Sequence, residues 1–152
     1  MKLCVLISIG LLASSIEAQT AVRQRGGSSE ADLVHMPGTP DCFLGASRMG
    51  DPTKEASIMK MQGSSGCSVP WHWHPADEHI MMVSGSGRAQ VKGDVPVVLK
   101  AGDFYSAHSK HVMRFACVSQ CTLFVYTDGA FAIHYVDDDG HEIPPEEALK
   151  RK

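Results

Sequence analysis

Gly66-Cys67-Ser68-Val69-Pro70-Trp71-His72-Trp73-His74-Pro75-Ala76-Asp77-Glu78-His79 is the stretch of this chain from which its fold and its chemistry can be read. In an extended strand alternate side chains share a face, so His72 and His74 project together while Trp71 and Trp73 point the other way. The Cα atoms of the two histidines then lie about 7 Å apart. Pro75 stops the ladder, and the chain can turn back so that Glu78, near the start of the next strand, brings a carboxylate to the two rings. Two borderline nitrogens and one hard oxygen suit a single divalent transition metal ion (Fe, Mn, Ni, Co, Zn or Cu) and disfavour Ca or Mg. A lone His-x-His is more often a pair of solvated or hydrogen-bonded histidines. The added glutamate and the flanking glycines turn the reading toward a metal.

Outward from this stretch the chain has the rhythm of an all-β protein. Short apolar runs bounded by Gly, Pro or Asp recur at close spacing: Ile58 to Met61, Val69 to His74, His79 to Val83, Ala89 to Val91, Val95 to Leu99, Phe104 to Ser106, His111 to Ala116, Thr122 to Tyr126 and Phe131 to Val136. No run of ten or more residues keeps a helical period, and Val, Phe, Tyr and Ile dominate the apolar positions. One short helix is expected in the polar tail, residues 138–152, where Pro144-Pro145-Glu146-Glu147 suits a first turn and Lys150, Arg151 and Lys152 a last one. The 152 residues are enough for one core. A net charge of −3 leaves no basic surface for phosphates, so nucleic acid is set aside as a partner.

The N-terminus reads as a secretory signal over residues 1–18: Lys2, an apolar run from Leu3 to Leu12, and a polar end at Ile16-Glu17-Ala18. The apolar run is shorter than the ~20 residues a membrane span needs. This predicts a secreted or periplasmic protein with no membrane anchor after cleavage. Residues 19–31, polar and rich in Gly and Ser, are expected to be a flexible leader. The mature chain would keep Cys42, Cys67, Cys117 and Cys121, an even number that suits an oxidising compartment. Cys117 and Cys121 flank a three-residue turn between strand-like runs, where a disulfide can form. Cys42 and Cys67 are left for each other.

The chain resembles the cupin superfamily, in whose first motif Gly66, His72, His74, Glu78 and Gly85 fill the five positions without a gap. More narrowly it is similar to small single-domain bacterial cupins, through Gly50-Asp51-Pro52-Thr53 and Pro70 through His79, although Trp71 replaces a more usual proline. The likeness runs from about Asp32 to Val136. It implies a double-stranded β-helix, a jelly-roll-like barrel over residues 32–137 that encloses a small ligand cavity.

The same resemblance implies a fourth ligand from a second motif, and here the chain departs from the pattern. The motif opens properly with Leu99-Lys100-Ala101-Gly102-Asp103-Phe104, but without gaps Met113 takes the place of the ligand histidine. His111 lies two residues earlier with the same strand parity. A shortened loop would make His111 the ligand, which is the preferred assignment, whereas an unshifted register would offer Met113 and favour copper. By parity His79 points to the opposite face. His108 is read as a rim residue, His134 as a candidate for the cavity wall, Tyr126 as a wall aromatic, and His35 and His141 as solvated. Trp71 and Trp73 would form an outward apolar patch, hidden by a homodimer or by the segment from Leu33 to Leu44. The resemblance implies a metal-dependent oxidoreductase, dioxygenase-like, acting on a small organic molecule, with Glu78 as the candidate base. The alternative is a non-catalytic protein that binds a metal or a small ligand.

Overall fold

The computed structural model describes residues 32–150; the predicted signal, residues 1–18, and leader, residues 19–31, lie outside the described residues. Among the described residues eleven strands are followed by one short helix: β1 Val34–His35, β2 Phe43–Met49, β3 Ser57–Gly63, β4 Ser68–Trp73, β5 Glu78–Ser84, β6 Ser86–Val91, β7 Val97–Lys100, β8 Phe104–Ala107, β9 Met113–Cys117, β10 Cys121–Thr127, β11 His134–Tyr135 and α1 Pro145–Ala148. They form two antiparallel sheets, a first in the order β1-β2-β3-β10-β5-β8 and a second in the order β11-β4-β9-β6-β7. This is the jelly-roll-like architecture expected from the sequence.

The alternation read from the sequence decides what lies between the sheets. Strand β10 buries every second residue, Cys121, Leu123, Val125 and Thr127, and β5 buries Glu78, Ile80 and Met82. The apolar ones among these meet Phe43, Met59, Met61, Leu99, Met113 and Phe115 in one core. Each such side chain contributes about 1.5–3 kcal/mol by leaving water. The methionines, unbranched and flexible, fill irregular gaps in this core.

The turns explain two motif glycines. Gly66 and Gly85 both have positive φ, at 79° and 73°, where L side chains are disfavoured. At Gly85, between β5 and β6, a Cβ would also collide with the carbonyl of Gln120. The turns before and after the metal stretch, each carrying the chain from one sheet to the other, are therefore held by backbone geometry that other residues cannot adopt cheaply.

Both expected cysteine pairs are bonded. Cys42–Cys67 ties the segment before β2 to the start of β4, Cys117–Cys121 closes the turn that carries the chain from β9 in the second sheet to β10 in the first, and each has a Cα separation of 5.6 Å. Strands β1 and β2 were not foreseen. Strand β9 begins at Met113, not at His111. Among the described residues no helix is long and apolar enough to cross a membrane.

Candidate metal centre

The predicted site residues come from both sheets. His72 lies on β4, and His74 follows that strand's last residue; Glu78 opens β5 in the facing sheet. The connection from β4 to β5 therefore crosses the core, carrying two imidazoles from one wall and a carboxylate from the other. Met113, the first residue of β9, is the register partner of His72 and points with it between the sheets. All four are buried, at 3% exposure for His72 and His74, 6% for Glu78 and 1% for Met113. They share the wall of a cavity of about 50 Å³ with Thr39, Phe131, Ile133 and core residues.

Each histidine is oriented by a backbone carbonyl. His72 Nδ1 lies 2.7 Å from the Pro70 oxygen, and His74 Nδ1 lies 2.6 Å from the Ala132 oxygen. A carbonyl can only accept, so in both rings Nδ1 carries the proton and Nε2 is left with its lone pair. Such tethering of the distal nitrogen is how metal-ligating histidines are normally held. The rings meet edge to face with centroids 4.8 Å apart, and Phe131 stacks on His74 at 4.6 Å. His74 Nε2 lies 3.6 Å from Glu78 Oε1, too far for a hydrogen bond. It is a buried nitrogen with no hydrogen-bond partner, which costs free energy unless something else satisfies it.

The electrostatics agree with the geometry. Burial, reinforced by His74, pushes the His72 pKa down to about 3, so its ring is neutral at physiological pH and its lone pair is available. Burial likewise raises the Glu78 carboxyl above its ordinary range, against the pull of His74 and His79. The neutral His72 ring, the unpartnered Nε2 of His74 and a carboxylate whose charged form burial disfavours are a donor set whose chemistry suits a divalent cation.

His111 does not line this cavity. It is exposed, outside any strand, with its ring 5.9 Å from that of His108. The cause is local: Lys110 has a φ of 63° and its amide donates to the His74 carbonyl at 2.8 Å, so the chain turns before β9 and sheds His111 toward solvent. His134 does not line the cavity either; it stacks on Trp73 at 3.9 Å on the outer face and lies 3.5 Å from Glu142. His79 faces outward, hydrogen-bonded to Ser106 Oγ at 2.7 Å and stacked on Tyr126. His108 lies at the exposed end of the same loop, 3.0 Å from Asp77, and His35 is exposed. Trp71 is covered by Arg114, whose guanidinium carbon lies 4.5 Å from the ring centroid. Each indole thus has a cover from its own chain.

Sequence reading took Phe131 to Val136 as one strand-like run and missed that only His134–Tyr135 is strand, its first residues forming instead the loop that completes the cavity. Ala132 orients His74, and Phe131 and Ile133 close the wall; they come from a strandless segment whose contacts have no periodic signal. It also missed a surface grouping of Asp137, Asp139 and His141, which bring one ligand atom each within 4.8 Å of one another. Asp137 Oδ1 there accepts the amides of Asp139 and His141, so the hydrogen bonding of the turn accounts for that grouping.

Comparison with known proteins agrees with the fold. A family model for the cupin domain matches residues 58–127. Among solved structures, KdgF from Halomonas sp. is similar with a TM-score of 0.57 at 16% identity, over 70% of this chain and 94% of that one. The DMSP lyase DddQ from Ruegeria pomeroyi DSS-3 gives 0.59 at 18%, over 78% and 64%. A mutant salicylate 1,2-dioxygenase from Pseudoaminobacter salicylatoxidans, in complex with gentisate, gives 0.53 at 16%, over 60% and 27%. At these identities the likeness is one of fold. No curated protein matches the chain by sequence.

Proposed function

We infer that this chain, a member of the cupin superfamily through its residues 58–127, binds one divalent transition metal ion through His72, His74 and Glu78, with the Met113 thioether beside them. The observation that carries the reading is His74 Nε2, buried without a partner at the wall of a cavity that Glu78 and His72 also line. When bound, the ion would supply Lewis-acid or redox activation of a small ligand at the positions the protein leaves open.

The protein's own part is to hold and to exclude. The Pro70 and Ala132 carbonyls fix the tautomer and tilt of the two imidazoles. Apolar walls from Ile80, Phe115, Leu123, Val125 and Phe131 keep bulk water away. Glu78, with its pKa raised by burial, is the group best suited to take a proton from a ligand at Oε1 or Oε2.

Cavity size supports one of the two functional readings over the other. About 50 Å³ holds an ion with a ligand the size of water, which occupies about 30 Å³ in the liquid. Beyond the donors and Thr39 the lining has no polar group to orient an organic substrate. This favours a protein that captures a metal with a small ligand. The oxidoreductase reading is second and has one observation in its favour: Phe131 and Ile133 belong to a segment outside the strand ladders, so that wall can yield to a larger molecule at little cost in hydrogen bonds. The two disulfides support an extracytoplasmic location.

Equilibrium dialysis against Zn, Ni, Fe(II) and Cu(II) tests the site: one tightly held ion per chain is expected, with affinity at least about 100-fold lower in His74→Ala. Equal retention by wild type and His74→Ala would overturn the assignment. Oxygen uptake by the Fe(II)-loaded protein with a panel of small organic acids separates the readings. Turnover would promote the oxidoreductase; its absence with metal bound would support capture.

A further inference from the structure

The second sheet carries a charged feature on its outer face, across the sheet from the cavity. Arg88 on β6 and Arg114 on β9 both point outward and are exposed. In register Arg88 faces Ala116 and Gln90 faces Arg114, so the two arginines are diagonal neighbours, about 7–8 Å apart at Cα. Among the described residues no carboxylate lies within ion-pair distance of either. Two adjacent guanidinium groups without a counter-charge repel each other, and an anion between them removes that cost.

Arg114 is also prearranged. Its plane lies over Trp71, and its Nε–H donates to Gln90 Oε1 at 2.8 Å. Gln90 is anchored in turn by donating from Nε2 to the Asp94 carbonyl at 2.7 Å. Both contacts leave the two terminal nitrogens of the guanidinium, the fork that matches a carboxylate, without a hydrogen-bond partner among the described residues. Between the arginines lies a hollow of about 210 Å³, with Ser68 at its edge. It adjoins a groove of about 840 Å³ that shares Ser68 and Arg114 and runs past Trp71, Val136, Ile143 and Leu149. That groove is within the size range of small-molecule sites. Asp41, Asp137 and Asp138 also line it, so a second negative charge far from the arginines would be repelled.

We propose that this outer face is a recognition site for an amphipathic organic monocarboxylate, whose carboxylate is gripped by Arg88 and Arg114 and whose apolar body lies along Trp71, Ile143 and Leu149. The charge pair selects the anion, the planar fork selects carboxylate geometry, the apolar groove selects the body, and the three aspartates select against dianions. The site is independent of the metal: it uses the opposite face of β9.

The test uses the full chain carrying Trp73→Phe, so that Trp71 is the reporting indole, titrated with 4-phenylbutyrate. Saturable change in Trp71 fluorescence is expected, weakened at least about tenfold by Arg88→Gln and by Arg114→Gln, the loss of one charge-assisted contact. Arg114→Lys, which keeps the charge and loses the fork, should weaken binding several-fold with an unchanged circular dichroism spectrum. 4-Phenylbutanamide and suberate should bind at least about tenfold more weakly than 4-phenylbutyrate. Failure to saturate, equal binding of the amide, or unchanged affinity in both glutamine variants would overturn the proposal. Inorganic phosphate binding as tightly as 4-phenylbutyrate would overturn it too, leaving a simple anion site.

Discussion

Met113 stands where the fourth donor to an ion would enter from β9, and its side chain is a thioether in place of a third imidazole. Replacing it by Leu conserves volume and so costs the fold less than about 1.5 kcal/mol, while removing the soft donor. Met113→Leu should lower copper affinity relative to zinc by about tenfold, and His111→Ala should change neither, as metal competition would read directly. A reversed result, with His111→Ala losing the ion, would mean that the loop before β9 rearranges on binding. Parity brought both residues into consideration from the sequence, since 111 and 113 share a strand face. The sequence does not reveal where that strand starts: β9 begins at Met113 because Lys110 adopts a positive φ and bonds the His74 carbonyl, and lysine is not a residue that signals such a turn. His72, His74 and Glu78 were legible because alternation and a proline break are local rules. The Ala132 carbonyl that aims His74 was not, since 58 residues separate the partners.

At the scale of the element, the loop from His108 to His111 is fastened to the metal stretch through Asp77. Its carboxylate accepts the Ser109 amide at 2.8 Å and lies 3.0 Å from His108 Nδ1. Those contacts, the Ser109 amide first, hold its pKa below the ordinary carboxylate value. A depressed pKa contributes stability that is present above the unfolded value and lost as pH falls through the folded one. Acid titration of unfolding should therefore show a loss below about pH 4 that is shallower in Asp77→Asn; parallel acid limbs would refute the fastening. The disulfides give a second comparison. Sequence separations of 25 and 4 predict losses of about 3.5 kcal/mol for Cys42→Ala/Cys67→Ala and about 2 kcal/mol for Cys117→Ala/Cys121→Ala in denaturant unfolding. The reverse order would show that the entropy of the unfolded chain is not what these bridges restrict. Most strands were visible as apolar runs, whereas Phe43–Met49 was not, because Gly45, Ala46, Ser47 and Arg48 lack strand propensity. Gly45 is required there by packing: the sulfurs of Met36 and Met61 lie where its Cβ would be.

For the whole molecule, the buried donors are a local cost that an ion converts into stability. At free metal 100 times its dissociation constant the folded state should gain about 2.7 kcal/mol, a rise in melting temperature of about 10 °C for a chain of this size. That gain should vanish in Glu78→Gln if the carboxylate is a donor, and persist if it only fills the wall. The exposed indole patch expected from Trp71 and Trp73 does not form, because Arg114 and His134 cover the two rings from within the chain; an alternating pattern gives the face of a residue but not what lies across it. The central claim is that His72, His74 and Glu78 hold a metal, and elemental analysis of protein purified without chelators tests it most directly. Close to one transition metal ion per chain is expected in the wild type, close to none in His74→Ala with the β-sheet spectrum intact, and full retention in His141→Ala. A wild type that carries no ion after exposure to each candidate metal, or a His72→Ala/His74→Ala/Glu78→Ala protein that keeps one, would contradict it.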